Sequence, residues 1–370
     1  PDEAFAVARL AFDQDPADAG IRERFESLGM AQERYATLAG AFEDAAGRLE
    51  GSASVAYWRA AARLYDERLP RPQDALRCYR AVLRREPNDS EAQRALEALL
   101  RQQDDPQALV ELLQVQLQQA SDPDQRRVLS VKIADVYDRE LGDPDEAIRR
   151  LEEVLREEPH HATALAGLDS LYTRKGNVEA LVGILAVREA LSESPREAAD
   201  LALRRAELFE RSLEHPEEAV GVYISVLRND ERPEAVEGLQ RLLARGIKPR
   251  EAAKALEQAH ARAQDAVRRV DMLSVLIEHD ETAEQKKAHA LKAAELSAER
   301  LRNRPASLEY LAIATALDPA DEGLRERLVD LAVELETPEP ADRALEGASK
   351  GGGPADVAAA CAVSLGELRI

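Results

Sequence analysis

The chain has 370 residues, of which 45% are hydrophobic, 33% are charged and only 4% are aromatic. The apolar content suffices for a folded core, and no apolar run reaches the length of about 18 residues that would cross a membrane. The formal net charge of −21 argues against a nucleic-acid-binding protein, which needs a cationic face, and against adsorption to an anionic membrane. Helix-forming residues dominate and β-branched runs are almost absent, so a helical protein without direct membrane insertion is predicted.

A short motif recurs along the chain and divides it into similar segments. Pro1, Pro72, Pro144 and Pro216 each open the motif P-x-[DE]-A, at spacings of 71, 72 and 72 residues, and the next unit begins near Arg304. A motif that returns at a fixed interval is more often a building unit than an active site. We therefore predict one continuous domain with an irregular insertion near residues 257–279 and five units, at 1–71, 72–143, 144–215, 216–303 and 304–370.

The second unit shows the pattern of helices that we expect in every unit. Apolar residues recur with helical period over Pro72–Glu86, Glu91–Gln102 and Gln107–Gln119, and a fourth helix follows the capping sequence "SDPD" at Ser121. Connections of a few residues make such helices pack as antiparallel neighbours. An all-α stack of helical hairpins with about 20 helices is therefore predicted.

Three hairpins share a pattern of small and aromatic residues followed by a second helix. The residues are Trp58, Ala61, Ala62, Tyr65, Ala75, Tyr79, Val82 and Pro87; then Ser130, Ile133, Ala134, Tyr137, Ala147, Leu151, Val154 and Pro159; then Ala202, Arg205, Ala206, Phe209, Ala219, Tyr223 and Val226. This pattern resembles the tetratricopeptide repeat (TPR) family, in which helix A carries W-x2-L-G-x2-Y and helix B ends in proline. The 72-residue unit is then a pair of TPR-like hairpins, and "GDPDEAIRRLEEVLREEP" (Gly142–Pro159) is a helix B with its leading turn.

The resemblance implies a fold and a binding surface. The fold is a right-handed superhelical α-solenoid whose helix A faces line a concave groove, and such grooves bind an extended peptide or a helix of a partner protein. The register of the pattern predicts the groove residues Glu91, Arg94, Ala98 and Arg101, then Arg127, Val131, Asp135 and Asp138, then Thr163, Ala166, Ser170 and Thr173. These polar and small side chains suit hydrogen bonds to a backbone but name no partner, and the Lys/Asn set of a carboxylate clamp is absent.

No set of residues in the sequence predicts catalysis, a cofactor or a metal site. Trp58 occupies a structural position of helix A, and the adjacent pair His160 and His161 lacks further ligands at a credible spacing, so we interpret it as a helix start in solvent. Cys78 has no histidine nearby and is too distant in sequence from Cys361 to suggest a pair. The chain is therefore predicted not to be an enzyme.

Two further segments have a structural and a functional interpretation. The glycine-rich stretch Gly347–Pro354 lacks the order of a phosphate-binding loop and is interpreted as a turn between helices. Arg77, Arg80 and Arg84 form a basic stripe, which either contacts an acidic partner or covers the convex surface.

Apolar residues near both ends of the sequence look like stripes without neighbours: Phe5, Phe12, Val357, Leu365 and Leu368. They suggest a segment of a longer array or a homo-oligomer formed through open solenoid ends. The leading hypothesis is a protein–protein interaction scaffold, and the alternatives are a self-assembling structural element and the regulatory arm of a multidomain enzyme. An arginine-rich, lysine-poor composition suggests a bacterial source, with a cytoplasmic location expected, or a periplasmic one if a leader is missing.

Overall fold

The computed structural model describes residues 2–350 and 354–368, and within them every regular element is helical. The helices are α1 Asp2–Gln14, α2 Ala19–Ala31, α3 Tyr35–Arg48, α4 Gly51–Arg63, α5 Pro72–Arg85, α6 Ser90–Gln102, α7 Pro106–Gln119, α8 Pro123–Arg139, α9 Pro144–Glu157, α10 Ala162–Lys175, α11 Val178–Leu191, α12 Pro195–Arg211, α13 Pro216–Asn229, α14 Pro233–Ala244, α15 Pro249–Arg262, α16 Ala266–His279, α17 Ala283–Glu299, α18 Arg304–Leu317, α19 Glu322–Glu334, α20 Glu339–Lys350 and α21 Ala355–Leu368. A π-helical turn, Leu64–Arg68, continues α4. Among these helices none is long and apolar enough to cross a membrane.

The helices form two compact units, one through Leu171 and the other from Tyr172. Within each unit, consecutive helices are joined by short turns and pack against each other as antiparallel neighbours. Each unit is therefore a stack of helical hairpins, and the predicted all-α fold of solenoid type is confirmed.

Helix α9 illustrates why these sequences form helices of this length. Gly142 adopts a left-handed conformation (φ +65°), which glycine reaches without steric cost. The Asp143 carboxylate then accepts a hydrogen bond from the Glu146 N–H at 3.0 Å, and Pro144 fills the first helical position. Leu151 and Val154 on one face are buried. The Glu-rich stretch is therefore a capped, amphipathic building element.

An aromatic cluster fills the start of the first unit. Phe12 stacks on Phe25 with ring centroids 4.9 Å apart, Phe5 also stacks on Phe25 at 5.3 Å, and Phe42 and Tyr57 complete the cluster. Both Phe5 and Phe12 are buried. The interpretation of these two residues as a stripe without neighbours is therefore wrong, because α2 supplies Phe25 to cover them.

The same correction applies to the end of the second unit. Leu365 and Leu368 are buried with Cys361 in a core formed with α18, α19 and α20, and Val357 is half-buried against it. These residues have neighbours inside the unit.

Ion pairs between alternate helices define two layers in the first unit. They run from α4 to α6, from α8 to α6 and from α8 to the turn before α10: Arg63–Glu91 (2.7 Å), Lys132–Glu97 (3.4 Å) and Arg127–Glu158 (2.8 Å). The even-numbered helices of this unit thus lie side by side in one layer. In the other layer, Arg77 of α5 contacts Glu43 of α3 at 2.6 Å.

The second unit contains one helix more than the repeat requires. Three helices separate the 17-residue helices α8 and α12, but four separate α12 from the next 17-residue helix, α17. Residues 257–279, predicted as an irregular insertion, are the end of α15, a short turn and the whole of α16. The segment is regular because its apolar residues, among them Leu256, Leu273 and Leu276, keep the helical period and are buried.

The additional helix places α12 and α17 in different layers. Alternate helices of the second unit are again joined by ion pairs: Arg241–Glu210 (3.0 Å, α14 to α12), Arg250–Asp280 (3.0 Å, α15 to the turn before α17), Lys292–Glu257 (2.9 Å, α17 to α15) and Lys287–Asp318 (2.6 Å, α17 to the turn before α19). One layer therefore contains α12 and α14, and the other contains α15, α17 and α19. Helix α17 carries the helix A pattern of small residues, since Ala290, Ala293 and Ala294 are buried.

The glycine-rich stretch near the end is partly helical. Helix α20 continues through Lys350, so the interpretation of Gly347–Lys350 as a turn is wrong. Helix formers before this point carry the helix into the glycine-containing segment. Residues 351–353 lie outside the described residues, and Pro354 precedes α21.

Candidate partner-binding surface

The predicted groove residues lie on the even-numbered layer of the first unit, which we name the helix A surface: the solvent-facing side of α2, α4, α6, α8 and the first part of α10. On α6, Glu91 forms an ion pair with Arg63, whereas Arg94 is exposed and, among the described residues, its Nε donates only to the Ser90 carbonyl, at 3.1 Å. Arg101 is exposed and lies 3.5 Å from Glu140 at the end of α8. Arg94 is thus the residue of this set best placed to bind a ligand.

Helix α8 contributes a mixed polar and apolar line. Arg127 is fixed by Asp124 and Glu158, Val131 and Asp138 are half-buried, and Asp135 pairs with Arg139 at 2.8 Å on the exposed face. Val128, a large apolar side chain one turn before Val131, is exposed on the same face and was not among the predicted groove residues. Its spacing from Val131 was the available signal. A partner would therefore meet apolar as well as polar groups on α8.

Helix α10 begins in the first unit and ends in the second. Thr163 and Ser170 are exposed in the part that precedes Tyr172, together with Ala166. Thr173 belongs to the second unit, where its Oγ1 accepts a hydrogen bond from Arg204 at 2.6 Å. The first unit thus brings together all of the predicted groove residues except Thr173.

A cavity of about 340 Å³ opens on this surface between α2 and α4. Its apolar part comprises Met30, Phe42, Ala56, Ala60 and Leu64, and its charged rim comprises Arg22, Arg59, Arg63 and Arg68 with Glu26 and Glu67. This site was not predicted from the sequence because α2 carries no helix A motif. Arg59 and Arg63, four residues apart on α4, were the feature of the sequence that could have indicated it.

The rim arginines are held in place by their neighbours. Arg59 pairs with Asp89, the N-cap of α6. Burial raises the pKa of Asp89, but hydrogen bonds from the Ala92 N–H and Arg59 outweigh it and hold that pKa below its usual range. Arg22 lies over the Tyr57 ring, 4.8 Å from its centroid. Pre-positioned guanidinium groups lose little side-chain entropy on binding, so this rim suits recognition of carboxylates.

The second unit has a cavity of its own, of about 350 Å³, between α14 and α16. His260 of α15 lines it and is only 4% exposed, and its Nε2 has no hydrogen-bond partner among the described residues. Burial lowers the pKa of this imidazole, so it is neutral near pH 7. A neutral, buried imidazole without a carboxylate or hydroxyl partner can accept or donate one hydrogen bond to a ligand.

The remaining candidate residues have structural surroundings. Trp58 is half-buried at the edge of the core with the Arg85 guanidinium 5.8 Å from its ring. The Cys78 thiol lies 2.8 Å from Glu43 Oε1, and burial followed by this hydrogen bond raises its pKa, which disfavours the thiolate.

His161 was predicted to be in solvent, but it is half-buried, and its Nδ1 caps α10 by accepting the Ala164 N–H at 3.2 Å. Across residues 2–350 and 354–368, no group of three or more His, Cys, Asp or Glu could hold a metal ion.

The hairpin of α8 and α9 has the features of a known repeat. Leu129 and Ile133 of α8 and Ala147 and Leu151 of α9 are buried, and the two helices pack against each other as the two-helix unit of a repeat protein does. Residues 129–161 match the family described as tetratricopeptide repeat. Over these residues the predicted resemblance to the TPR family is confirmed, and the stacked hairpins of the rest of the described chain are TPR-like in fold.

Comparisons with whole proteins add less. No curated protein matches the chain in sequence. Naa15/Naa10 bound to HypK-THB is similar at 15% identity and a TM-score of 0.41, over 96% of this chain and 62% of that one. A tetratricopeptide repeat protein from Parabacteroides merdae is similar at 15% identity and a TM-score of 0.32, over 75% of this chain and 98% of that one. This chain spans less than two thirds of the first protein, and at these TM-scores neither similarity bears on function.

Proposed function

We propose that this chain is a non-catalytic scaffold whose helix A surface binds a segment of a partner protein, as an extended peptide or a helix. The cavity between α2 and α4 carries the proposal, since it combines an apolar floor with an arginine-rich rim, in which Arg59 and Arg63 also pair with Asp89 and Glu91, on the surface that the TPR resemblance assigns to binding. Four arginines and two glutamates line it, whereas the chain as a whole carries a charge of −21. The partner segment is therefore an acidic one that inserts an apolar side chain beside Met30.

Helices α6 and α8 extend the surface beyond the cavity. Arg94 and Ala98 of α6 and Val128 and Asp135 of α8 are exposed on neighbouring helices of one layer. The small side chain of Ala98 leaves room for a backbone to approach, and the charged groups flank it. A segment anchored between α2 and α4 would continue over these residues.

Affinity capture with matched variants tests this function. Met30→Glu puts a negative charge at the cavity and Ala56→Trp fills it, while Leu191→Glu changes an exposed leucine of the second unit in the same chemical sense. We expect the wild-type chain and Leu191→Glu to capture the same partner. The amount of this partner recovered by each cavity variant, measured by quantitative mass spectrometry, should be lower by about tenfold or more. Circular dichroism would establish that the variants are folded. Equal recovery of every captured protein by all four chains would contradict the proposal.

A further inference from the structure

We propose that the cavity between α5 and α7 is a second docking site, which takes an apolar side chain flanked by carboxylates in an acidic peptide segment. The cavity has a volume of about 520 Å³ and lies on the odd-numbered layer of the first unit. Leu83, Leu96, Leu100 and Leu112 form its apolar part, and Val115, which is 49% exposed, stands at its mouth. The site stands on observations separate from those at the helix A surface.

A buried amide in this cavity calls for a ligand with an acceptor. Gln116 of α7 lines the cavity and is only 8% exposed, and its Nε2 has no hydrogen-bond partner in the described part of the chain. A buried N–H₂ group without a partner is unfavourable, so most such groups in folded proteins bind a neighbour, a water molecule or a ligand. An occupant with a carbonyl or carboxylate oxygen would satisfy it.

The rim of the cavity supplies the charge that selects the occupant. Arg80 and Arg84 of α5 are exposed, lie one helical turn apart, and form no ion pair with any described residue, whereas Arg77 on the same helix pairs with Glu43. Glu111 is the single acidic residue of the lining. Two guanidinium groups and the Gln116 amide present donors to one cavity, and carboxylates are the acceptors that match them. Between the two interpretations of the basic stripe, the structure therefore favours contact with an acidic partner for Arg80 and Arg84.

A synthetic peptide tests the site directly. The probe is a fluorescein-labelled pentapeptide, Asp-Glu-Leu-Glu-Asp, and its leucine is replaced by photoreactive diazirine-leucine for cross-linking. We expect saturable binding in fluorescence anisotropy, weakened by added salt because the rim charges are exposed. Replacing the peptide leucine by alanine, or its carboxylates by amides, should each weaken binding about tenfold or more. Cross-links should map to α5, α6 and α7.

Variants of the protein complete the test. Arg80→Glu with Arg84→Glu reverses the rim, Gln116→Leu removes the buried donor, and Val115→Trp closes the mouth from an exposed position that folding does not require. We expect each of these changes to weaken binding of the probe about tenfold or more. Arg156 is an exposed arginine of α9 in the same layer, and Arg156→Glu should leave binding unchanged. Unchanged affinity for the rim and mouth variants, or absence of binding by the wild-type chain, would overturn the proposal. Cross-links confined to α2 and α4 would overturn it as well, while supporting the helix A site.

Discussion

At the scale of single residues, His260 couples the second unit to pH. Its side chain is buried and its pKa lies below that of a free imidazole, chiefly because burial disfavours the charged form. Asp265 opposes this shift and Arg268 adds to it. As pH falls below about 6.5, the unfolded chain binds a proton at this residue that the folded chain does not. The contribution of His260 to stability is thus present above pH 6.5 and is lost as pH falls toward the folded pKa.

We predict that His260→Leu removes part of the acid sensitivity of unfolding. Urea unfolding at pH 7.5 and pH 5.5 should show a smaller loss of stability for this variant than for the wild-type chain, because leucine cannot bind the proton. His279→Gln, which changes an exposed histidine on α16, should keep the wild-type difference. The pKa values of Glu210 and Glu257 are lowered in the folded chain. The stability that these two carboxylates contribute is therefore lost only below pH 4.5, outside the range from pH 7.5 to pH 5.5. Equal pH differences for the wild-type chain and His260→Leu would refute the assignment.

The sequence could not have distinguished His260 from the other histidines. Its helix, α15, has alanines on several faces, so the apolar period does not reveal which side is buried. The exposure of Val128 and Met30 could not be predicted for a related reason. The apolar period of a helix identifies its buried stripe better than it identifies an exposed apolar residue beside that stripe. By contrast, Trp58 could be assigned a structural position in advance because it falls inside a repeated motif.

At the scale of elements, the same helix start recurs with different residues. His215 of α13 stands where Asp143 of α9 stands 72 residues earlier, directly before a proline at the first helical position. The Asp143 side chain caps its helix, whereas His215 makes no side-chain capping hydrogen bond. The two helices are otherwise alike in their first turn, "PDEA" against "PEEA".

We predict that His215→Asp stabilises α13 by about 1 kcal/mol. The new carboxylate would accept a hydrogen bond from a first-turn N–H of α13, as the Asp143 carboxylate does at the equivalent position of α9. Asp143→Ala should cost α9 about the same amount. His215→Ala serves as the control and should change little, since histidine forms no cap there. Hydrogen exchange of the first-turn amides of each helix, with urea unfolding of the whole chain, measures the effect. If the first-turn amides of His215→Ala exchanged as slowly as those of His215→Asp, capping would not be the cause of the stabilisation.

Proline at the first helical position made helices such as α5 and α9 predictable, and its absence from α16 explains the failure near residues 257–279, although Asp265 caps α16. Helices α5 and α9 begin with proline after a turn, and their apolar period is clear, so their bounds follow from the sequence within about two residues. Helix α16 begins without a proline and belongs to no recurring motif. A single helix added between repeats therefore looked like an irregular insertion, although its local sequence is amphipathic.

At the scale of the whole molecule, the burial of Phe5, Phe12, Leu365 and Leu368 changes the expectation for assembly. Sequence periodicity identified these residues as apolar but could not tell which helices cover them, because that depends on contacts outside the repeat. The large exposed apolar side chains of α1 are Val7 (66%) and Leu10 (65%), which lie one helical turn apart. A pair of exposed apolar residues is ordinary on the surface of a monomer.

We predict a monomer in solution at the concentrations of ordinary biochemistry. Size-exclusion chromatography with light scattering should give a mass of 40.7 kDa that does not change with concentration. The double variant Val7→Glu, Leu10→Glu should elute identically. A mass that rises with concentration for the wild-type chain, and is restored to one chain by the double variant, would instead assign α1 as a self-association surface and favour the structural alternative.

The additional helix of the second unit has a consequence for recognition. In an array of alternating direction, adding one helix exchanges the two sides for everything that follows, whereas adding a hairpin would not. Helix α12 shares its layer with α14, but α17, which carries the same pattern, shares its layer with α15 and α19. A ligand that tracks the helix A positions along this unit must therefore cross from one side of the array to the other. The helix A positions before and after the additional helix therefore face opposite sides of the second unit.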